Sequence, residues 1–248
     1  MTYPVEKKNN EESSGSGMPF LDHLEELRWR ILKSLAAIIV MAMASFYFSN
    51  ELFRFIIAPL GNVKLHFTEV TGSFYAYLKV SLIVGLFAAL PIIFYQLWAF
   101  VSPGLYKREK AMILPLVFSS TVLFIVGAAF CYYGVLPIAL KFLIGFGDDL
   151  LSPIITVSSY ISFAGMLLVA FGLGFELPVA AYVLAKMGIV SPQALAKARR
   201  YAIVGILIIG AILTPPDVFT QLLLAGPVYL LYEVSIIVAR VTYPKKKD

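Results

Sequence analysis

Charge is scarce in this chain. Charged residues make up 14% of its 248 positions, against roughly a quarter in soluble domains, so a water-facing surface is excluded for much of the chain. Histidine occurs twice, as His23 and His66, both outside the apolar runs. That excludes a buried Ser–His dyad and an H-E-x-x-H metal site. Cysteine occurs once, as Cys131 in an apolar run, so no internal disulfide can form. No G-x-x-x-x-G-K-[ST] loop is present to cradle phosphates, which argues against nucleotide hydrolysis. "GFGDD", Gly145 to Asp149, matches the G-x-G-D string of intramembrane aspartyl proteases. It falls between apolar runs, with no second intramembrane Asp to share a proton, and reads as a solvated turn. No catalytic set, metal or cofactor is expected.

Apolar length is what the chain has in excess. Sixty per cent of residues are hydrophobic, the mean hydropathy is +0.84, and several runs approach the ~20 residues a helix needs to cross ~30 Å of hydrocarbon. An all-α integral membrane protein with six spans is expected. They run from about Ile31 to Ser49, Phe74 to Phe100, Met112 to Leu136, Ser158 to Ala185, Tyr201 to Thr214 and Val218 to Ala239. The fifth is short: its length gives about 21 Å, so it needs thinned bilayer, neighbours or flanking turns. The domain reading is a disordered cytoplasmic tail over 1–18, a six-span membrane domain over 19–240, and a basic cytoplasmic tail over 241–248. No cleavable signal peptide is expected, because the first apolar run follows Arg28, Arg30 and Lys33 and has the length of a retained anchor.

Basic residues set the orientation. Sixteen of the twenty Lys and Arg lie in the N-terminal segment through Lys33, in "SPGLYKREK", in the loop Lys186 to Arg200 and in the tail from Arg240. With six spans these four segments share a side, so both termini are read as cytoplasmic. Lys79, near the start of span two, is read as snorkelling outward.

Three polar features interrupt the pattern. "HLEELRWR", His23 to Arg30, reads as an amphipathic interfacial helix, with Leu24, Leu27 and Ile31 toward lipid. "FVSPGLYKREKA", Phe100 to Ala111, reads as a positive turn broken by Pro103-Gly104, yet Glu109 contributes nothing to retention. Glu176 sits about 13 Å from the inner end of span four. An acid there costs about 2.5–3.5 kcal/mol on insertion scales, so it should be paired, protonated or facing a polar cavity. A structural hydrogen bond to a neighbouring helix is the plainer account. Pro178 lacks an N–H and favours a kink beside the acid. In "TPPDVF" the prolines stop span five, and Asp217 reads first as the N-cap of span six. Glu233 lies near enough to the inner boundary of span six to reach headgroups.

"HLEELRWRI", "SPGLYKREK", "FGLGFELPV" and "LTPPDVFTQ" occur in this order, with six spans and a short fifth. With these strings in register, about Pro19 to Arg240 closely resembles the TatC family, the multispanning subunit of the twin-arginine protein translocase. The resemblance implies a curved, concave six-helix arrangement in a prokaryotic cytoplasmic (inner) membrane. It implies export of folded proteins bearing twin-arginine signal peptides, driven by proton-motive force. The implied partners are TatA- and TatB-type single-span proteins and membrane lipids, with homo-oligomers in the translocase and no nucleic acid. By the same resemblance the signal-peptide site maps to Glu26, Leu27, Arg28, Phe100 and Glu109. Glu176 maps to an intramembrane partner or signal contact, and Pro59, Asp217 and Gln221 map to the outer face. The 17 residues before Met18 match no part of the family pattern. The alternative from the residues alone is a proton-coupled small-solute transporter with Glu176 as proton carrier.

Two carboxylates at the cytoplasmic surface make chemical sense of an arginine reader. A guanidinium presents a planar fork that a carboxylate accepts bidentately, whereas lysine offers a point charge. Lys107, Arg108 and Lys110 would then repel generic basic peptides before they reach Glu109.

Overall fold

The computed structural model describes residues 20–61, 63–67, 69–101, 112–145, 154–214 and 217–244. The expected tail over 1–18, the loop carrying Glu109 with its neighbouring cations, and Asp148 and Asp149 lie outside these residues.

The first helix, α1 (Phe20–Tyr47), is continuous through "HLEELRWR". The motif therefore forms the first turns of the helix that becomes the first span. A short helix, α2 (Ser49–Ile57), and a 3₁₀ turn over Ala58–Leu60 follow. Pro59 fits the start of that turn because its missing N–H has no partner to lose there. Gly61 ends it at φ +65°, a left-handed conformation that glycine adopts without strain.

The second span is α3 (Gly72–Val101), about 45 Å long and unbroken through Pro91. It packs along α1. The two backbones meet at Gly85, where an added Cβ would lie 2.5 Å from the Ala42 backbone, the small-residue contact that membrane helices favour.

The third span is longer than the hydropathy suggests. Helix α4 (Ile113–Phe130) passes through a π-helical turn over Cys131–Val135 into α5 (Leu136–Gly145). Pro137 cannot donate to the preceding turn and its ring crowds the carbonyl four residues back, which widening the helix relieves. Two residue pairs, Leu65–His66 (β1) and Ile155–Thr156 (β2), form a small parallel ladder between the loops at this end.

The fourth span is two helices, α6 (Val157–Phe175) and α7 (Leu177–Lys186), with Glu176 between them. The expected break beside Pro178 is present. The Glu176 N–H donates to the Leu173 carbonyl at 3.1 Å, tightening the last turn, and Ala180 N–H resumes the helix on the Glu176 carbonyl at 2.9 Å.

After a short helix α8 (Pro192–Lys197) come α9 (Arg199–Leu213) and α10 (Val218–Thr242), an antiparallel hairpin. Helix α9 has 15 residues and is about 22 Å long, the short element expected. The expected basic tail begins inside α10, which runs on to Thr242.

Five helical segments among the described residues are long and apolar enough to cross a membrane. Large apolar side chains point outward along them, among them Leu35 and Met43 on α1, Phe118 on α4 and Leu230 on α10. Water would not tolerate so continuous an apolar exterior, whereas lipid solvates it. This is a multi-pass membrane protein.

The interior has two apolar centres, one near each end. Ile56, Leu60, Val80, Cys131, Leu136, Ile161 and Phe171 pack at the end carrying α2 and the ladder. Leu90, Phe94, Trp98, Leu116, Phe124 and Val183 pack at the end carrying the N-terminus of α1.

Candidate functional site

At the N-terminal end, α1 and the last turn of α3 bring together two predicted site residues. The His23 ring stacks on Phe100, centroids 4.3 Å apart and planes 9° apart. One helical turn along α1, Glu26 faces the same end of α3. Its Oε1 accepts from Arg30 Nε at 2.9 Å and also from Arg30 Nη2, while Arg30 Nη1 donates to Gln96 Oε1 at 3.2 Å. The other oxygen, Oε2, is buried and accepts no hydrogen bond. His23 Nδ1 lies 3.5 Å from it. Glu26 is thus a half-used carboxylate, held in place by one oxygen and open at the other. Leu27 is half-buried and Arg28 is exposed. Glu109, expected opposite, lies outside the described residues.

The second site is the helix break. Glu176 is half-buried where α6 hands over to α7. The Ser120 hydroxyl of α4 approaches its carboxyl group, and Ser120 Oγ itself accepts from Trp98 Nε1 of α3 at 3.1 Å. Glu176 Oε1 is buried without a hydrogen-bond partner. Glu26 Oε2 and Glu176 Oε1 are the buried side-chain polar atoms left unpaired among the described residues. Buried polar atoms in native structures are rarely left so, because each forfeits its hydration without return. Three helices bring Trp98, Ser120 and Glu176 into one line, and the proline break turns the acid into it.

The third group lies at the opposite end of the bundle. Asp217 caps α10, as expected: Oδ1 accepts from Thr220 N–H at 2.7 Å and Oδ2 from the Thr220 hydroxyl. Gln221 Nε2 donates to the Leu207 carbonyl of α9 at 2.9 Å, tying the hairpin across its turn. Pro59 lies in the 3₁₀ turn after α2, and two tyrosines hold the end of α2 down. Tyr132 of the π-turn donates to the Phe55 carbonyl and Tyr160 of α6 donates to the Ile56 carbonyl, the latter at 2.7 Å. The Pro59 turn and the Asp217 cap share an end of the molecule through α5, whose Phe142 stacks on Phe219 at 4.0 Å.

Two expectations from the sequence change. Glu233 does not reach for headgroups: Arg199 Nε and Nη2 grip its two oxygens at 2.7 and 2.9 Å, and the Tyr229 hydroxyl donates to Oε1 at 3.0 Å. Its partner was legible, since Arg199 lies about as far before the hairpin turn as Glu233 lies after it. Lys79 does not snorkel free; its Nζ donates to Ser158 and Ser162 of α6 at 2.8 and 2.9 Å. The Glu26–Arg30 pair was also readable, as an i,i+4 spacing. The two tyrosine clamps had no local signature.

Fold and sites together define a multi-pass helical membrane protein with acids embedded among its spans. Residues 22–227 match the family described as "Sec-independent protein translocase protein (TatC)". The chain belongs to the TatC family, whose members are components of a protein translocase. It is 43% identical over 237 residues to the TatC protein of Aquifex aeolicus (strain VF5), covering 93% of this chain and 98% of that one. It is 41% identical over 228 residues to the Escherichia coli (strain K12) TatC protein, covering 90% and 88%. A crystal structure of the twin-arginine translocase receptor TatC superimposes with a TM-score of 0.81 at 43% identity, covering 89% of this chain and 99% of that one.

Proposed function

We propose that this chain is the receptor and core subunit of a twin-arginine translocase, reading signal peptides at the end that carries the N-terminus of α1. In this reading six spans, the short α9 among them, form a concave bundle in a prokaryotic inner membrane with both termini cytoplasmic. The signal peptide's arginines meet Glu26 and Glu109, flanked by Leu27, Arg28 and Phe100. Folded cargo is exported with TatA- and TatB-type single-span partners, using proton-motive force. Glu176 offers a polar contact inside the membrane, and Pro59, Asp217 and Gln221 serve the outer face.

The observation that carries this reading is the pair of unpaired oxygens, one on Glu26 and one on Glu176. Each is an acceptor held in place with its hydrogen-bonding capacity unspent, which suits a partner that arrives later. At Glu26 the arriving group is a guanidinium, because Oε2 lies beside an oxygen already shaped by the Arg30 fork. A second fork can join there, or displace Arg30 toward Gln96.

The test is binding of a twin-arginine signal peptide to the purified protein, beside a twin-lysine version, with wild type, Glu26→Gln and Glu109→Gln. A hydrogen bond to a charged group is worth about 1.5–3 kcal/mol, so each change should weaken binding roughly 10- to 100-fold. Equal binding in all combinations would remove the receptor role from this end of the molecule.

A further inference from the structure

Lys79 holds a charge that no described residue around it neutralises. Among the described residues it makes no ion pair, and its two hydrogen bonds go to the neutral hydroxyls of Ser158 and Ser162. An ammonium has three protons, so one remains. Both serine oxygens accept from Lys79, which leaves their own protons free to donate. Three donors therefore converge between the second turn of α3 and the first turns of α6. The N-terminus of the 19-residue α6 adds the positive end of its dipole. Beside them opens a cavity of about 270 Å³ whose rim includes Tyr75, Thr156 and one acid, Glu69. Glu69 forms no ion pair with Lys79.

Lys79 also heads a second space. An apolar groove of about 440 Å³ runs away from it between α3, α6 and the end of α9, past Ile83, Met166, Val169, Leu173 and Leu213. From Ser162 to Leu173 it follows α6 for about 16 Å. The groove is apolar along its length and is headed by a cation, which suits an acyl chain carried on an anionic head group.

We propose that this is a phospholipid site: Lys79, Ser158 and Ser162 hold the phosphate of a bilayer lipid, and one acyl chain lies in the groove. A cation at the head of an apolar groove matches an anion carried on a hydrocarbon tail. The site needs only that the protein spans a membrane, and it stands apart from signal-peptide recognition.

The experiment is native mass spectrometry of the purified full-length protein, delipidated and then offered phosphatidylglycerol, phosphatidylcholine or inorganic phosphate. Each ligand is tested on wild type, Lys79→Arg, Lys79→Gln and the groove-filling Ala170→Phe. Thermal unfolding of each variant establishes that it is folded. Wild type and Lys79→Arg should retain one phosphatidylglycerol through activation energies that strip phosphatidylcholine. Lys79→Gln and Ala170→Phe should lose it several-fold, and inorganic phosphate should not be retained. Equal retention of both lipids, or undiminished retention by Lys79→Gln, would overturn the site. So would retention of inorganic phosphate in place of lipid, or an apolar single-helix peptide outcompeting the lipid. None of these readouts involves a signal peptide, so failure here leaves the receptor reading untouched, and failure of peptide binding leaves the lipid site untouched.

Discussion

The α9–α10 hairpin and the α6–α7 break each carry a glutamate within an apolar helical stretch, and the molecule treats the two in opposite ways. Glu233 is saturated: both oxygens are gripped by Arg199 and a third bond comes from Tyr229. Around it Asp217 is spent on a helix cap and Gln221 on a backbone carbonyl. The hairpin closes its own polar accounts. Glu176 has the approach of one serine hydroxyl and an oxygen with no partner at all. A saturated acid fixes the packing of helices, whereas an unsaturated one invites something from outside. Glu26 sides with Glu176, since Arg30 holds one of its oxygens and leaves the other unused.

The comparison breaks most visibly by unpairing the hairpin. Arg199→Leu removes both charge-assisted hydrogen bonds that hold the Glu233 carboxylate across the hairpin, so it should give the largest loss of thermal stability in detergent. The double variant Arg199→Leu, Glu233→Leu should recover most of it, because removing both charges is far milder than orphaning one. A double variant no better than the single one would show that the pair does not organise the hairpin.

Glu176→Ala should do the reverse. With no strong partner to lose, it should unfold at about the wild-type temperature while export of a folded twin-arginine cargo, and crosslinking to single-span partners, fall sharply. Unchanged export and crosslinking in that variant would place Glu176 with Glu233, as a purely structural acid. Glu26→Gln sharpens the same contrast at the membrane surface. Fold and melting should be retained, while twin-arginine peptide affinity drops roughly 10-fold or more, the worth of one charge-assisted hydrogen bond.

The smallest effect belongs to the cap. Asp217→Ala should cost about 1 kcal/mol, a melting shift of about 2–4 °C for a chain of this size. Asp217→Asn, which still accepts from the Thr220 N–H, should lose much less. If both variants melt like wild type but transport nothing, Asp217 belongs with the open acids rather than the closed ones.

Much of this was legible beforehand because it is local. The break at Glu176 follows from Pro178, the cap at Asp217 from its place before a helix, and the short α9 from the spacing of Arg200 and Pro215. The four motif strings hold Glu26, Glu109, Glu176 and Gln221, which the resemblance maps to family positions. Two local signals went unread, the i,i+4 spacing of Glu26 and Arg30 and the symmetric placement of Arg199 and Glu233 about their turn. The proline that widens α4 into a π-turn lay in plain view, but hydropathy alone ended the span at Leu136, nine residues early.

The sequence by itself determined which stretches are helical and apolar, where they break, and which few residues are too polar for their surroundings. Apolar length and missing backbone donors act within a turn or two of chain, so they can be read in order. Only the tertiary structure decided which of those polar residues are satisfied. Serines on α6 receive Lys79, Tyr160 reaches back to α2, and Ser120 draws Trp98 toward Glu176. Those choices depend on which faces of distant helices meet, and a period of 3.6 residues states that a face exists without naming the helix it will find.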